Sequence, residues 1–250
     1  KNDSMSDAAV IIVAAGKSSR FNDKNYKKPF VSIRSRALWL HSVDSFLSRE
    51  DVKQVIVVIA DEDQTEFHQR FGGETAVLGL DVVVGGDTRA DSVLNGLRAV
   101  RHELEYVAVH DAARPCIAET WLDELFVKAR QTGAAILATP VVSTVKRVSS
   151  GQVAETVPRD GLWESQTPQM FQKHKLLQAY EEVDDYTLAT DESQLMEWTG
   201  QQVSIVEASA LNRKVTTQAD LQFVEMALGL LPKPKLDGPA RPFEDGDIWR

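Results

Sequence analysis

The sequence predicts an α/β fold: a mostly parallel twisted sheet flanked by helices, with a β-hairpin arm protruding from it. Three observations predict it. Short β-branched runs recur along the chain, amphipathic segments alternate with them, and one β-rich pair interrupts the alternation. Taken in order, Ala9–Ala14 is a continuous apolar run of the kind a buried parallel strand needs. A helix follows over Ala37–Leu47, where Leu40, Val43 and Leu47 share one face. Strands at Gln54–Ile59 and Asp81–Val84 bracket a helix at Gln64–Phe71. A helix at Ala90–Val100 leads to a strand at Tyr106–Val109, and one at Glu119–Ala129 to a strand at Ala134–Thr139. Val141–Val148 and Gln152–Val157, joined by Ser149-Ser150-Gly151, read as the hairpin. Its edges carry Lys146, Arg147, Glu155 and Arg159. An isolated two-stranded hairpin is marginal in water, so a second subunit is its expected support. Helices at Lys175–Glu182 and Asp191–Trp198, a strand at Gln202–Glu207 and a helix at Ala219–Leu228 complete the domain. The last opens with Thr217-x-x-Asp220, a capping arrangement.

Composition narrows the class. The 250 residues, 43% hydrophobic and 26% charged, are those of an ordinary globule with a full core. They divide into one domain over residues 8–230 and a tail over 231–250, whose prolines and charges predict an extended or disordered extension. A single cysteine, Cys116, excludes a disulfide framework and a cysteine-built zinc site, and fits a reducing compartment. No apolar stretch approaches the ~20 residues that span a bilayer, and the first seven residues have no apolar signal core. A net charge of -9 argues against a nucleic-acid surface. The expectation is a cytoplasmic protein with neither a membrane nor a nucleic-acid partner.

In parallel sheets, ligands collect outside the carboxyl ends of the strands, and five clusters fall there. The first is Ala14-Ala15-Gly16-Lys17-Ser18-Ser19-Arg20. From Gly16 to Lys28 there are five basic residues against one acid, Asp23, a local positive patch that suits a polyphosphate. It is not a P-loop, because Ile11 stands where that motif needs glycine, and Ser18 and Phe21 break the dinucleotide fingerprint. The second is Gly85-Gly86-Asp87-Thr88-Arg89-Ala90-Asp91-Ser92, whose glycines permit close approach to a flat ligand. There Asp87 or Ser92 either bonds a base edge or caps the helix. The third, His110-Asp111-Ala112-Ala113-Arg114-Pro115, puts a carboxylate at a strand end. Asp111 suits a Mg²⁺ bound together with substrate phosphates; pairing with Arg114 is the structural alternative. His110 reads as a buried or orienting histidine rather than a base. The fourth runs from Arg159-Asp160-Gly161-Leu162-Trp163 to Gln166-Thr167-Pro168-Gln169. Arg159 offers a planar fork, and Thr167 a hydroxyl, to a phosphate monoester. The fifth is Asn212-Arg213-Lys214-Val215-Thr216; Thr190-Asp191-Glu192 reads as a helix start with favourable acids.

Ordered as they are, these motifs make the chain resemble the 2-C-methyl-D-erythritol 4-phosphate cytidylyltransferases. The residues that carry the resemblance are Ala14-Ala15-Gly16-x-x-x-Arg20, Lys28, Gly85-Gly86-Asp87-x-Arg89-Ala90-Asp91-Ser92-Val93, His110–Pro115, Arg159-x-Gly161-Leu162-Trp163, Thr167-Pro168-Gln169 and Lys214-Val215-Thr216. The resemblance implies the nucleotide-diphospho-sugar transferase type of fold, with an arm at about 141–159 that hooks a twofold-related subunit. It implies that Ala14, Ala15, Gly16, Gly86, Asp87, Arg89 and Ser92 serve the nucleotide. Arg20 and Lys28, with Lys27 as the alternative to Lys28, would stabilise the reacting triphosphate. Arg159 from a partner subunit, Thr167, Thr190 and Lys214 would hold the sugar-alcohol phosphate, and Asp111 would touch the metal or the sugar. The implied reaction is attack of that phosphate on the α-phosphorus of CTP, releasing pyrophosphate, with Mg²⁺ or another divalent cation. A phosphate dianion needs no general base, so positioning and charge neutralisation carry the catalysis. The rival readings are a ribitol 5-phosphate cytidylyltransferase and a non-catalytic nucleotide-binding regulator.

Overall fold

A computed structural model describes residues 7–16 and 30–233. The chain begins with β1 (Ala8–Val13), a short hairpin of β2 (Ser32–Ile33) and β3 (Arg36–Ala37), α1 (Leu38–Leu47), β4 (Val52–Ile59), α2 (Gln64–Val77) and β5 (Asp81–Val84). It continues through α3 (Arg89–Arg98), β6 (Tyr106–Asp111), α4 (Glu119–Thr132) and β7 (Ala134–Pro140). The arm is β8 (Val145–Ser149) and β9 (Gln152–Val157); then come β10 (Trp163–Gln172), α5 (Lys173–Glu182), α6 (Glu192–Trp198), β11 (Ser204–Glu207) and α7 (Gln218–Ala227).

Seven strands form one sheet in the order β11-β7-β10-β6-β1-β4-β5. Strand β1 pairs parallel with both β4 and β6, β4 with β5, and β11 with β7. Strand β10 lies antiparallel to β6 and β7, which makes the sheet mostly rather than wholly parallel. Helices cover both faces, as continuous apolar strands require. Along β1, Val10 and Ile12 join the layer of Trp39, Phe46, Phe67 and Phe126, while Ile11 and Val13 join that of Leu94, Leu97, Leu176 and Leu195. A third cluster, with Cys116, Val215 and Val224, lays α7 beside the segment that follows β6.

Several expectations change. Strand β10 is absent from the sequence reading, which took Arg159–Gln169 as a ligand cluster at the base of the hairpin, as is the β2–β3 hairpin. Helix α2 passes through Gly72 and Gly73 instead of ending at Phe71. The arm strands start later than Val141, and their turn has positive φ at Ser150 (51°) and Gly151 (78°). That pairing is the tight hairpin turn whose twist matches the strands. Arg20, Lys27, Lys28 and most of the tail lie outside the described residues. Among the described residues, no helix is long and apolar enough to cross a membrane.

Candidate functional site

The parallel register aligns the carboxyl ends of β5, β4, β1 and β6, and so gathers three of the predicted clusters. Val13 sits opposite Asp111 and Val58, so Ala14–Gly16 leave the sheet between the other two strand ends. Ala14 is tied back by its N–H to the Val58 carbonyl at 2.8 Å. The loop after β5 closes against it: a Cβ on Gly85 would meet the Ala15 methyl at 2.7 Å and the Ser92 hydroxyl at 2.6 Å. Gly85 is therefore fixed by close approach. Gly86 is as constrained, since its Cβ would fall 2.4 Å from the Cβ of Asp91.

That loop holds itself in shape. Thr88 and Asp91 form a reciprocal capping box on α3. Ser92, buried, accepts the Gly86 N–H at 3.1 Å and donates to the Thr88 carbonyl at 2.9 Å. Asp87 is exposed beside Gly86. The side chain of Arg89, the first residue of the helix, turns away from this loop towards Asp111.

Asp111 is the centre of the charge. Its carboxylate is buried at the end of β6, with Arg89 Nε 3.2 Å from Oδ1, Lys214 Nζ 2.7 Å from Oδ2, and Arg114 Nε 3.8 Å away. Burial alone would raise its pKa, but Arg89 and Lys214 outweigh that and hold the carboxyl far below the usual range. Arg114 Nε is buried without a hydrogen-bond partner among the described residues. Lys214 arrives because its segment runs along that of Arg114: Val215 N–H donates to the Ala113 carbonyl at 2.8 Å, and Arg114 to the Asn212 carbonyl at 2.6 Å. Asn212 in turn donates to Gln166 and to the Thr167 carbonyl on β10. Thr216 and Thr217 cap α7 through Asp220, which also takes Arg213.

Thr167 lies under this cluster. Its hydroxyl oxygen accepts the Asp111 N–H at 3.0 Å and stands 3.0 Å from His110 Nδ1. His110 Nε2 faces the Arg114 carbonyl at 3.0 Å, and a carbonyl only accepts, so Nε2 carries the proton. Nδ1 then accepts the Thr167 hydroxyl proton. Burial pushes the imidazole down to about 4, so the ring is neutral at physiological pH. The histidine is the buried, orienting kind and has no accessible nitrogen with which to act as a base.

Two expected acceptor residues stand apart from the Asp111 cluster. Thr190 is exposed and bonds the Gln194 side chain ahead of α6. Arg159 is exposed at the base of the arm and donates to the Val142 carbonyl, so within one protomer it does not join Lys214. The sequence reading placed Glu192 only as an acid at a helix start. It is 1% exposed and grips Arg89 with both oxygens, at 2.7 and 3.1 Å. Its neighbour Asp191 is a true helix cap, accepting from Gln194, Ser165 and Gln169. No local signal distinguishes the two acids; Glu192 is found only by its partner 103 residues away.

Asp111 does not fit the part of a metal ligand as it stands. Both oxygens are engaged by cations, and no group of three or more His, Cys, Asp or Glu able to hold a metal occurs among the described residues. A divalent ion there would have to displace an ammonium and sit among guanidinium groups. The arrangement instead suits anions: Arg89, Arg114 and Lys214 converge on the end of β6, beside the loops that follow β1 and β5.

Comparison with known proteins places this geometry among relatives. Residues 8–229 match the family described as IspD, 2-C-methyl-D-erythritol 4-phosphate cytidylyltransferase. The chain is 41% identical to the cytidylyltransferase of that name from Aromatoleum aromaticum, over 87% of this chain and 94% of that protein. It is 37% identical to that of Rhodopirellula baltica, over 88% and 94% respectively. Among solved structures, it superposes on the 4-diphosphocytidyl-2C-methyl-D-erythritol synthase of Anaerococcus prevotii with a TM-score of 0.76 and 28% identity, covering 90% of this chain and 96% of that one.

Proposed function

We propose, since the chain belongs to the 2-C-methyl-D-erythritol 4-phosphate cytidylyltransferase family, that it transfers the cytidylyl group of CTP to 2-C-methyl-D-erythritol 4-phosphate. The products are CDP-methylerythritol and pyrophosphate, a step of isoprenoid precursor synthesis by the non-mevalonate route. The observation that carries the reading is the cation cluster on Asp111, set beside the self-braced glycine loop and the end of β1. The base and ribose lie against Ala14–Gly16 and the Gly85–Ser92 loop, where the glycines let a ligand approach the backbone closely. The acceptor phosphate lies at Lys214. Its oxygen attacks the α-phosphorus in line with the departing pyrophosphate, and no side chain has to remove a proton. What the chain supplies is alignment of two anions that would otherwise repel, and positive charge where charge accumulates. Arg20 and Lys28 serve the triphosphate in this reading. Any divalent cation travels with the triphosphate, and no step is assigned to it. The working form is a cytoplasmic homodimer joined through the arm, in which Arg159 completes the partner's site.

The deciding experiment measures pyrophosphate release from CTP with each acceptor in parallel. Rapid release with the methylerythritol phosphate and little with ribitol 5-phosphate is expected. The opposite order would assign the second acceptor, and CTP binding without release on either would mark a regulator.

A further inference from the structure

We propose that Glu192 is a positioning residue for the acceptor half of the site, acting through Arg89, and that Arg89 itself serves the acceptor rather than the nucleotide. The inference rests on the cytidylyl-transfer reading above. Glu192, Arg89, Asp111 and Lys214 form a chain of alternating charge, linked at 2.7, 3.2 and 2.7 Å. It joins α6, α3, the end of β6 and the segment before α7, elements far apart in sequence.

Glu192 takes Nη1 and Nη2 as a two-pronged partner, which leaves Nε as the nitrogen that meets Asp111. The fork is planar, so fixing one edge fixes the other. With Arg89 confined to Oδ1, the second oxygen of Asp111 is left for Lys214. Without Glu192, the guanidinium is free to rotate and to take both oxygens, competing with the ammonium for its anchor. The cluster would also lose one negative charge.

The nucleotide loop does not depend on this chain. Its shape comes from the Thr88–Asp91 capping box and from Ser92 on Gly86, none of which touches Glu192. A role confined to holding α6 in place is also a poor account. Leu195 and Met196 already bury that helix in the apolar layer shared with α3 and α5, and a buried ion pair is a weak source of stability compared with such packing.

The test is steady-state pyrophosphate release by the full chain, with CTP and acceptor varied separately, alongside thermal unfolding. Glu192→Gln is expected to raise the acceptor KM on the order of tenfold or more and to leave the CTP KM within about twofold. The double variant Glu192→Gln/Arg89→Met removes both buried charges. It should regain unfolding temperature relative to Glu192→Gln while its acceptor KM stays high. An acceptor KM that recovers with stability would reduce Glu192 to a structural prop and overturn the proposal, as would an equal rise in both KM values. Should the single variant not fold, a near-normal acceptor KM in the double variant is the overturning result. A wild-type chain inactive with this acceptor would sink the reaction and the inference together, and the wild-type arm reads that directly.

Discussion

His110 has no exposed surface, and its two nitrogens are spoken for by a carbonyl and a hydroxyl. That makes it a reporter of acid stability. In the unfolded chain its imidazole titrates near 6.5, in the folded protein near 4. Between those values the unfolded chain takes up a proton that the native chain refuses, so stability falls as pH drops from about 6.5 to about 4. The loss over that window is on the order of 3 kcal/mol. Asp111, Asp191 and Asp220 act in a lower window. Their folded values are depressed, so the stability they contribute is intact above the ordinary 3.8 and drains away only below it. Urea midpoints taken at intervals from pH 7 to 4 should slope downward in the wild type and much less in His110→Gln, which has no proton to gain. Parallel slopes in the two proteins would assign the titration to another group.

At the scale of elements, two glycines predict opposite outcomes. A Cβ at Gly86 meets Asp91 at 2.4 Å, within the capping box that shapes the nucleotide loop, whereas one at Gly73 meets nothing within 4 Å on an exposed helical turn. Gly86→Ala is expected to cost about 1–3 kcal/mol by overpacking and to raise the CTP KM. Gly73→Ala should stabilise by roughly 0.5–1 kcal/mol, because alanine loses less backbone entropy in a helix; denaturation midpoints and initial rates check both. The same contrast explains what was legible beforehand. Parallel strands such as β1, and β4 from Val55 to Ile59, announce themselves because both faces are buried and every position in those runs is apolar. Strand β10 is as well buried over Gln166–Phe171, yet its polar residues answer to side chains distant in sequence. Gln166 meets Asn212, Thr167 meets His110, and Gln169 meets Asp191. A strand whose inward face is polar has no period for the eye to find. The site divides the same way: Asp111 and Lys214 sit in recognisable strand-end and pre-helix motifs, while Glu192 meets Arg89 only through a contact 103 residues away in sequence.

At the scale of the whole molecule, the proposed reaction and dimer would make one protomer an incomplete acceptor site. Arg159 lies on the arm, bonded to Val142, while Lys214 is held on Asp111 at the sheet. The arm itself presents Val142, Val148 and Val153 to solvent, with Leu162 and Trp163 at its base. A charged ladder such as Arg147–Glu155 gives register to a hairpin but little stability, since an exposed pair contributes at most about 1 kcal/mol. Those apolar side chains are better accounted for by a second copy of the chain, which would also carry Arg159 to the neighbouring site. The consequence is testable by mixing two damaged proteins. Arg159→Ala and Lys214→Ala should each be nearly inactive as homodimers. If Arg159 acts across the interface, a mixed dimer has one site bearing both lesions and one bearing neither. With random exchange half of the dimers are mixed, so activity should return to about a quarter of the wild-type value. If Arg159 serves its own protomer, every site in the mixture keeps one lesion and no activity returns. The rise should develop at the rate of subunit exchange and disappear when Val153→Asp weakens the arm contact. Absence of recovery in a mixture proven to have exchanged would return Arg159 to its own chain.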